Sequence, residues 1–125
     1  RQAAAHAHAP YSHYRVGAAL LATNGQLYSG CNIENACHGL TICAERVALG
    51  KAVSAGVTEF LAIAIAGGTA TTPAAPCGAC RQVLAEFCLA ETHVGYIGLT
   101  DGQLRLTTLG TLLPHSFNLE KTNEK

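Results

Sequence analysis

Short apolar runs bounded by glycine, asparagine and proline recur along this chain and indicate β-strands. The runs predict five strands, over residues 14–22, 26–33, 60–66, 94–100 and 104–106. Asn24 and Gly25, between the first two runs, are a strong signal for a hairpin turn. The third run is apolar at every position, which is typical of a strand covered on both faces.

Two further segments carry apolar residues at helical spacing. Residues 78–88 predict one helix, and residues 42–55 predict another that Gly56 is placed to end. The pattern over 42–55 rests on apolar Ile42, Val47, Leu49 and Val53 and on the cations Arg46 and Lys51. The Ala-rich residues 1–9 are typical of the end of a helix halted by Pro10. A brief helical turn is expected before Pro114.

The order of these elements predicts an α/β fold. The order is hairpin, helix, strand, helix, strand, strand. This order implies a mixed five-stranded sheet with helices on both faces, a three-layer α/β/α arrangement. At 125 residues, without repeats or a long linker, we expect a single domain over 1–125. Residues 118–125 are expected to form a loose tail. The chain starts at Arg1 and has no Met, so we expect its natural N-terminus to be missing.

Composition narrows the classes of partner. Eight basic and eight acidic residues give a formal net charge of zero, and only 13% of residues are charged. Nucleic-acid binding draws on clustered Lys and Arg, so a small neutral substrate is favoured over a polynucleotide. So little charge also indicates that part of the surface is buried against other subunits. No run approaches a membrane span, and we expect a cytoplasmic protein without a membrane partner.

Three cysteines and one glutamate carry the candidate chemistry. Cys43-Ala44-Glu45 is followed by Cys77-Gly78-Ala79-Cys80. A structural zinc site uses four protein ligands, whereas a hydrolytic site leaves a position open for water. Three thiolates with a glutamate two residues after the first ligand match the constellation of zinc deaminases. Hydrolytic deamination with one zinc per chain is therefore the leading hypothesis.

The predicted helix starts suit this role. Cys43 falls at the start of one helix and Cys77 with Cys80 at the start of the other, where free N–H groups favour thiolates. Glu45 projects differently from Cys43 and can act as the general base and acid without binding the metal. Arg46 can donate to the sulfurs and offset the negative charge of three thiolates.

The remaining cysteines and histidines have plainer interpretations. Cys31 and Cys88 are interpreted as small buried hydrophobes, whereas Cys37 lies near the predicted site and stays open. His6, His8 and His13 are interpreted as surface residues because they lie in a polar stretch. Disulfides are a minor alternative, because the Cys77–Cys80 spacing favours metal or redox chemistry.

Five segments, in one order, resemble those of the small homotetrameric cytidine deaminases with a three-cysteine zinc site. The segments are YSHYRVGAAL at 11–20, GCNIENA at 30–36, CAER at 43–46, PCGACRQ at 76–82 and LLPHSF at 112–117. The resemblance implies a small-molecule nucleoside as substrate and a homotetramer whose active sites are shared between subunits. It also implies that cytidine and deoxycytidine are hydrolysed to uridine and deoxyuridine, in pyrimidine salvage.

The resemblance further implies roles for substrate-binding residues. Asn32 and Glu34 would hydrogen-bond the ribose hydroxyls, and the backbone of Ala44 would contact the base. Phe117 would close a pocket of a neighbouring subunit. The family usually has Phe where Tyr14 stands, and the tyrosine keeps an aromatic face toward the base. His38 replaces a residue that is often Tyr and that touches the sugar across subunits.

Four alternatives stay open on the sequence. A deaminase for another aminated pyrimidine nucleoside, such as blasticidin S, would use the same catalytic core. A polynucleotide-editing deaminase is disfavoured by zero net charge and by Cys43 where a histidine is common. Cys77 and Cys80 could form a thiol–disulfide redox pair. A structural zinc module would need a fourth ligand, for which His38 or Cys37 could serve.

Overall fold

The computed structural model describes residues 1–119, so most of the predicted tail, residues 120–125, lies outside the described part. The strands are β1 (Gly17–Ala22), β2 (Leu27–Cys31), β3 (Phe60–Ala66), β4 (His93–Ile97) and β5 (Arg105–Thr108). The helices are α1 (Ala44–Ser54), α2 (Gly78–Ala85) and α3 (Leu109–Leu112), with 3₁₀ turns at Ala3–His6 and His38–Leu40. Within residues 1–119, no helix has the length and apolarity needed to span a bilayer.

The five strands form one mixed sheet in the order β2-β1-β3-β4-β5. β3 and β4 pair in parallel, and the other neighbours pair antiparallel. The parallel pair requires a crossover connection, and α2 supplies it. The predicted mixed five-stranded α/β sheet is confirmed, and β3 has the bounds that the apolar run predicts.

One face of the sheet packs against α1 and forms the core. Ala18, Leu20 and Ala22 of β1 point to this face together with Ile63 and Ile65 of β3, and all five are buried. α1 covers β1 and β2 with buried Ala44, Ala48, Leu49 and Ala52. The small alanine side chains let the helix lie close to the sheet, which positions the first turn of α1 at the sheet edge.

The opposite face of the sheet is only partly covered in the described residues. The 3₁₀ turn Ala3–His6 packs there, with the backbone of Ala4 against Gly17. Leu27, Leu61, Ala64 and Leu106 stay exposed. The expectation that β3 is covered on both faces is therefore wrong along part of its length, because this face has no long helix between residues 1 and 119.

β1 begins three residues later than the pattern predicts. In the residues before it, backbone groups form hydrogen bonds with the side chain of Asn32 instead of with a neighbouring strand. The Asn32 Oδ1 accepts from the Val16 N–H at 2.9 Å, and its Nδ2 donates to the Tyr14 carbonyl at 2.7 Å. Without Asn32, these two backbone groups would need hydrogen-bond partners in β2. The segment that carries Tyr14 is therefore an ordered loop beside the sheet.

Gly30 of β2 sets the distance between the sheet and α1. A Cβ at Gly30 would lie 2.6 Å from the Ala48 nitrogen and 2.8 Å from the Ala44 carbonyl oxygen. We expect Gly30→Ala to lower the free energy of unfolding by about 1–3 kcal/mol, the usual cost of overpacking. Exposed Gly50 in α1 has open space around its Cα, so Gly50→Ala should instead raise stability by up to about 1 kcal/mol. Urea titration of both variants checks this contrast, and equal stabilities would contradict it.

Candidate active site

The start of α1 positions Cys43 at the rim of a cavity. Ile42 forms an antiparallel bridge with Ile33, with hydrogen bonds of 2.9 Å in both directions. This bridge holds Ile42 extended, so the helix begins at Ala44 rather than at residue 42, and Cys43 is its N-cap residue. The predicted placement of Cys43 at a helix start is confirmed.

The start of α2 brings two more thiols together. Cys77 is the N-cap residue of α2, and its Sγ accepts a hydrogen bond from the Cys80 N–H at 3.5 Å. Cys80 lies in the first turn and is fully buried, whereas the Cys77 side chain is exposed. The cap aligns both sulfurs on the same side of the helix start.

The three sulfurs converge although Cys43 and Cys77 are 34 residues apart in sequence. The Sγ atoms of Cys43, Cys77 and Cys80 all lie within 4.8 Å of one another, and those of Cys43 and Cys77 are 4.0 Å apart. In a tetrahedral zinc site with Zn–S bonds of about 2.3 Å, sulfurs lie about 3.8 Å apart. The cluster therefore fits one zinc ion per chain. It includes neither Cys37 nor His38, so these three ligands leave one coordination position open.

The thiols of the cluster differ in acidity. Burial and the nearby Glu45 carboxylate raise the pKa of the Cys80 thiol, and burial raises the pKa of Cys43. Burial also acts on Cys77, but hydrogen bonds from the Cys80 amide and the neighbouring thiols outweigh it and lower the pKa of Cys77. Three adjacent thiolates are unfavourable without a cation, so zinc binding is coupled to the release of protons.

Glu45 lies in the first turn of α1 and lines the cavity. Its side chain is only 5% exposed, although the residue is charged in water. Burial raises the pKa of the Glu45 carboxyl above its usual range, which suits a group that gives and takes protons near neutral pH. In the described residues Glu45 is one of only two buried polar or charged side chains of the core.

The cavity beside the sulfurs has a volume of about 270 Å³. Its walls combine thiols and Glu45 with aromatic, amide and small apolar side chains. It is lined by Tyr14, Val16, Asn32, Thr41, Cys43, Ala44, Glu45, Ile65, Ala74, Ala75 and Cys77. Of the predicted substrate-binding residues, Tyr14, Asn32 and Ala44 thus meet Cys43 and Glu45 in one place.

Asn32 and Glu34 organise the loop that carries Tyr14. Glu34 accepts hydrogen bonds from the backbone N–H groups of Tyr11 and Ser12, at 3.0 and 3.2 Å, through Oε1. Hydrogen bonds from Ser12 lower the pKa of the Glu34 carboxyl. The two residues therefore have a structural task that sequence analysis does not predict.

Glu34 and the buried ligand Cys80 are not among the lining residues of this cavity, and three further predicted residues also lie outside it in the described chain. His38 is exposed, with its ring centroid 6.5 Å from that of Tyr11 in an edge-to-face arrangement. Phe117 is 68% exposed and also lies away from the cavity lining. Arg46 is exposed, and its side chain makes no hydrogen bond to a sulfur within residues 1–119. Its support of the thiolates stays a prediction.

Thr41 and the small residues of the loop before α2 line the cavity, although no sequence pattern predicts them. The Thr41 hydroxyl accepts from the Asn35 N–H at 3.1 Å, which ties down the segment leading to Cys43. Ala74 and Ala75 complete the wall opposite. A lone threonine and two alanines carry no signal of their own, and only the position of Ala74 and Ala75 between β3 and α2 could have indicated the alanines.

The fold and the cluster have counterparts among known proteins. Residues 1–96 match the family model for the cytidine and deoxycytidylate deaminase zinc-binding region. A cytidine deaminase from Halalkalibacterium halodurans is 50% identical over 123 residues, which cover 98% of this chain and 92% of that protein. The chain belongs to the cytidine deaminase family. A cytidine deaminase from Mycobacterium tuberculosis is 44% identical over 119 residues, which cover 95% of this chain and 84% of that protein.

A solved structure of the cytidine deaminase family extends the agreement to three dimensions. The crystal structure of cytidine deaminase from Burkholderia pseudomallei superposes with a TM-score of 0.86 at 46% identity, covering 93% of this chain and 91% of that chain. The family inferred from the five sequence segments is therefore confirmed, as are the α/β fold and the zinc-binding character of the domain.

Proposed function

We propose that the cavity beside the three cysteines is where this chain deaminates cytidine and deoxycytidine. The enzyme is a zinc-dependent hydrolase that yields uridine or deoxyuridine and releases ammonia, and pyrimidine salvage is the usual role of such an enzyme. One observation carries the assignment of the site: a buried carboxyl, Glu45, lines the same cavity as the thiols of Cys43 and Cys77.

The metal would be held by Cys43, Cys77 and Cys80 at the two helix starts. When bound there, zinc supplies a Lewis acid that activates water for attack on C4 of the base. The helix N-termini direct N–H groups toward the sulfurs, of which the Cys80 amide is one. They stabilise thiolates and so maintain the charge balance of a three-sulfur set.

Glu45 would move the protons of the reaction. It takes a proton from the attacking water and delivers it to N3 of the base. It then transfers the proton of the new hydroxyl at C4 to the amino nitrogen, so that ammonia leaves and the C4 carbonyl forms. Water thus supplies the oxygen and both protons, and Glu45 ends in its starting state. Its burial excludes bulk water that would compete for these protons.

The cavity walls would select and orient the base. Tyr14 presents an aromatic face against which a pyrimidine can stack, and the backbone of Ala44 at the start of α1 offers hydrogen-bonding groups to the base edge. A base without the expected donors and acceptors would leave these groups unpaired, which disfavours it strongly. Val16, Ile65 and Ala74 fill the remaining wall with apolar surface.

The ribose would bind on the Asn32 side of the cavity. Glu34 uses Oε1 for the backbone of Tyr11 and Ser12, and its second carboxylate oxygen can accept from a ribose hydroxyl. Asn32 lines the cavity directly. His38, exposed beside Tyr11, would reach the sugar of a neighbouring subunit.

A substrate panel tests this assignment. Purified protein should convert cytidine and deoxycytidine, because the polar groups near Asn32 suit a plain ribose or deoxyribose. Blasticidin S should be converted far more slowly. Faster turnover of blasticidin S than of cytidine would contradict the proposed ribose pocket while leaving the metal site intact.

We infer a homotetramer with shared active sites, located in the cytoplasm. Apolar side chains are exposed next in sequence to the cavity residues Asn32, Thr41 and Cys43, namely Ile33, Leu40 and Ile42, and Tyr11 and Phe117 are exposed as well. Exposed apolar patches of this kind mark protein–protein contacts. Thiolate ligands favour a reducing compartment, which supports the cytoplasm.

Complementation between two variants, one without the proton carrier and one with a raised KM, tests the shared sites. In a mixed assembly, an intact Glu45 from a Phe117→Ala subunit can meet an intact Phe117 from a Glu45→Gln subunit. We expect co-expressed Glu45→Gln and Phe117→Ala chains to regain a KM close to that of the wild type in a fraction of sites. Expressed alone, Glu45→Gln has no site with an intact Glu45, and Phe117→Ala has no site with an intact Phe117. Mixed assemblies that retain only the KM of Phe117→Ala would contradict sharing through Phe117.

A further inference from the structure

Gln82 of α2 forms a two-point contact with the backbone of Phe117. Its side-chain Nε2 donates to the Phe117 carbonyl at 2.8 Å, and its Oε1 accepts from the Phe117 N–H at 3.4 Å. Only an amide side chain offers a donor and an acceptor side by side, as a peptide group requires. Gln82 is half-buried and lies two residues after the proposed ligand Cys80.

The neighbouring Arg81 anchors the other end of the same segment. Its Nη1 donates to the Leu112 carbonyl at 3.0 Å, and its Nε donates to the Pro76 carbonyl at 2.7 Å. The helix that carries two of the three proposed ligands thus holds the segment 112–117 at both of its ends.

The Phe117 ring itself is free of its own chain's site. The side chain is 68% exposed and lies outside the lining of the cavity at Cys43. A fixed backbone below an exposed aromatic ring is an arrangement that presents the ring to another molecule. An aromatic anchor that is ordered before binding loses less entropy when it docks.

We propose that Gln82 is a positioning residue for substrate binding: it fixes the backbone of Phe117 so that the ring enters the nucleoside pocket of a neighbouring copy of this chain. The inference rests on the proposed sharing of sites through Phe117. Gln82 does not touch substrate or zinc, so its loss acts through Phe117 alone and changes KM while kcat is preserved.

A double-mutant cycle separates this role from a general structural one. Gln82→Met keeps the length and packing of the side chain but removes both hydrogen bonds. We expect it to raise KM for cytidine about tenfold, the effect of losing one or two hydrogen bonds, with kcat and zinc content unchanged. Phe117→Ala should raise KM at least as much, and the double variant should match Phe117→Ala. Gln26→Met, in the exposed turn before β2, is the matched control and should leave KM unchanged.

The outcomes distinguish the role of Gln82 from the sharing of the site through Phe117. KM effects that multiply in the double variant, or an unchanged KM in Gln82→Met, would overturn the role of Gln82 and leave the shared site standing. An unchanged KM in Phe117→Ala would overturn the shared site, and the role of Gln82 with it. Coupled sites show such non-additivity, whereas independent ones do not.

Fluorescence provides a second readout that does not depend on turnover. The chain contains no tryptophan, so Phe117→Trp introduces the sole indole. In the assembled protein we expect blue-shifted emission and high anisotropy at position 117. Adding Gln82→Met should shift the emission to the red and lower the anisotropy. Identical spectra with and without Gln82→Met would contradict positioning by Gln82.

Discussion

Glu45→Gln is expected to lower kcat for cytidine by about 10²- to 10⁴-fold, the usual contribution of a general acid–base group. Glutamine has the same shape and fills the same buried space, but it cannot take a proton from water or return one to the substrate. The three sulfurs are untouched, so zinc content should stay at one ion per chain. Steady-state kinetics with metal analysis on the same sample measures both quantities.

A matched control shows whether the effect belongs to this carboxyl. Glu59 is exposed and precedes β3, so Glu59→Gln removes the same charge far from the sulfurs and should keep full activity. If Glu45→Gln kept wild-type kcat, Glu45 would not be the proton carrier. If it lost zinc together with activity, Glu45 would be part of the metal site.

Cys77→Ala is expected to abolish both zinc binding and turnover. Because the Cys77 side chain is exposed, its truncation removes little packing, but it also removes the cap that its Sγ provides to the Cys80 N–H. The lost metal is therefore measured by the response of the Tm to chelation. A protein that binds zinc at a thousandfold excess over Kd gains about 4 kcal/mol. We expect chelation to lower the Tm of the wild type and to leave the Tm of Cys77→Ala unchanged.

Of two other cysteines, Cys80 is unsuitable for this experiment and Cys37 provides its control. Cys80 is fully buried, so Cys80→Ala would mix the loss of zinc with the cost of a cavity. Cys37 is exposed and lies outside the sulfur cluster, so Cys37→Ala should keep zinc, activity and the response to chelation. A stability of Cys77→Ala that still rises with added zinc would contradict its role as a ligand.

The chemistry of the site is largely predictable from local sequence. Cys43 and Cys77 each lie where an apolar helical pattern begins, and the spacing of Cys77 and Cys80 fits one helical turn. The two helix starts meet only if β3 is an inner strand of the sheet. The continuous apolar run of β3 indicates such a strand. The sulfurs therefore follow from patterns that can be read without coordinates.

The hydrogen bonds around the substrate loop could not be predicted in this way. Asn32 contacts Val16 and Tyr14 across 16 to 18 residues, and Gln82 contacts Phe117 across 35. Such partners are set by the tertiary fold, and polar side chains on turns and helix faces are usually solvated. The late start of β1 has the same origin, because the Asn32 amide takes the place of a strand neighbour.

The most direct test of the central claim is cytidine turnover by the purified protein, with zinc counted per chain in the same preparation. We predict conversion of cytidine to uridine and ammonia at about one zinc per chain, with activity lost on chelation and restored by added zinc. Turnover by protein that holds no zinc would contradict the metal-dependent account of the site. A preparation with one zinc per chain and no turnover of cytidine or deoxycytidine would contradict the proposed substrate.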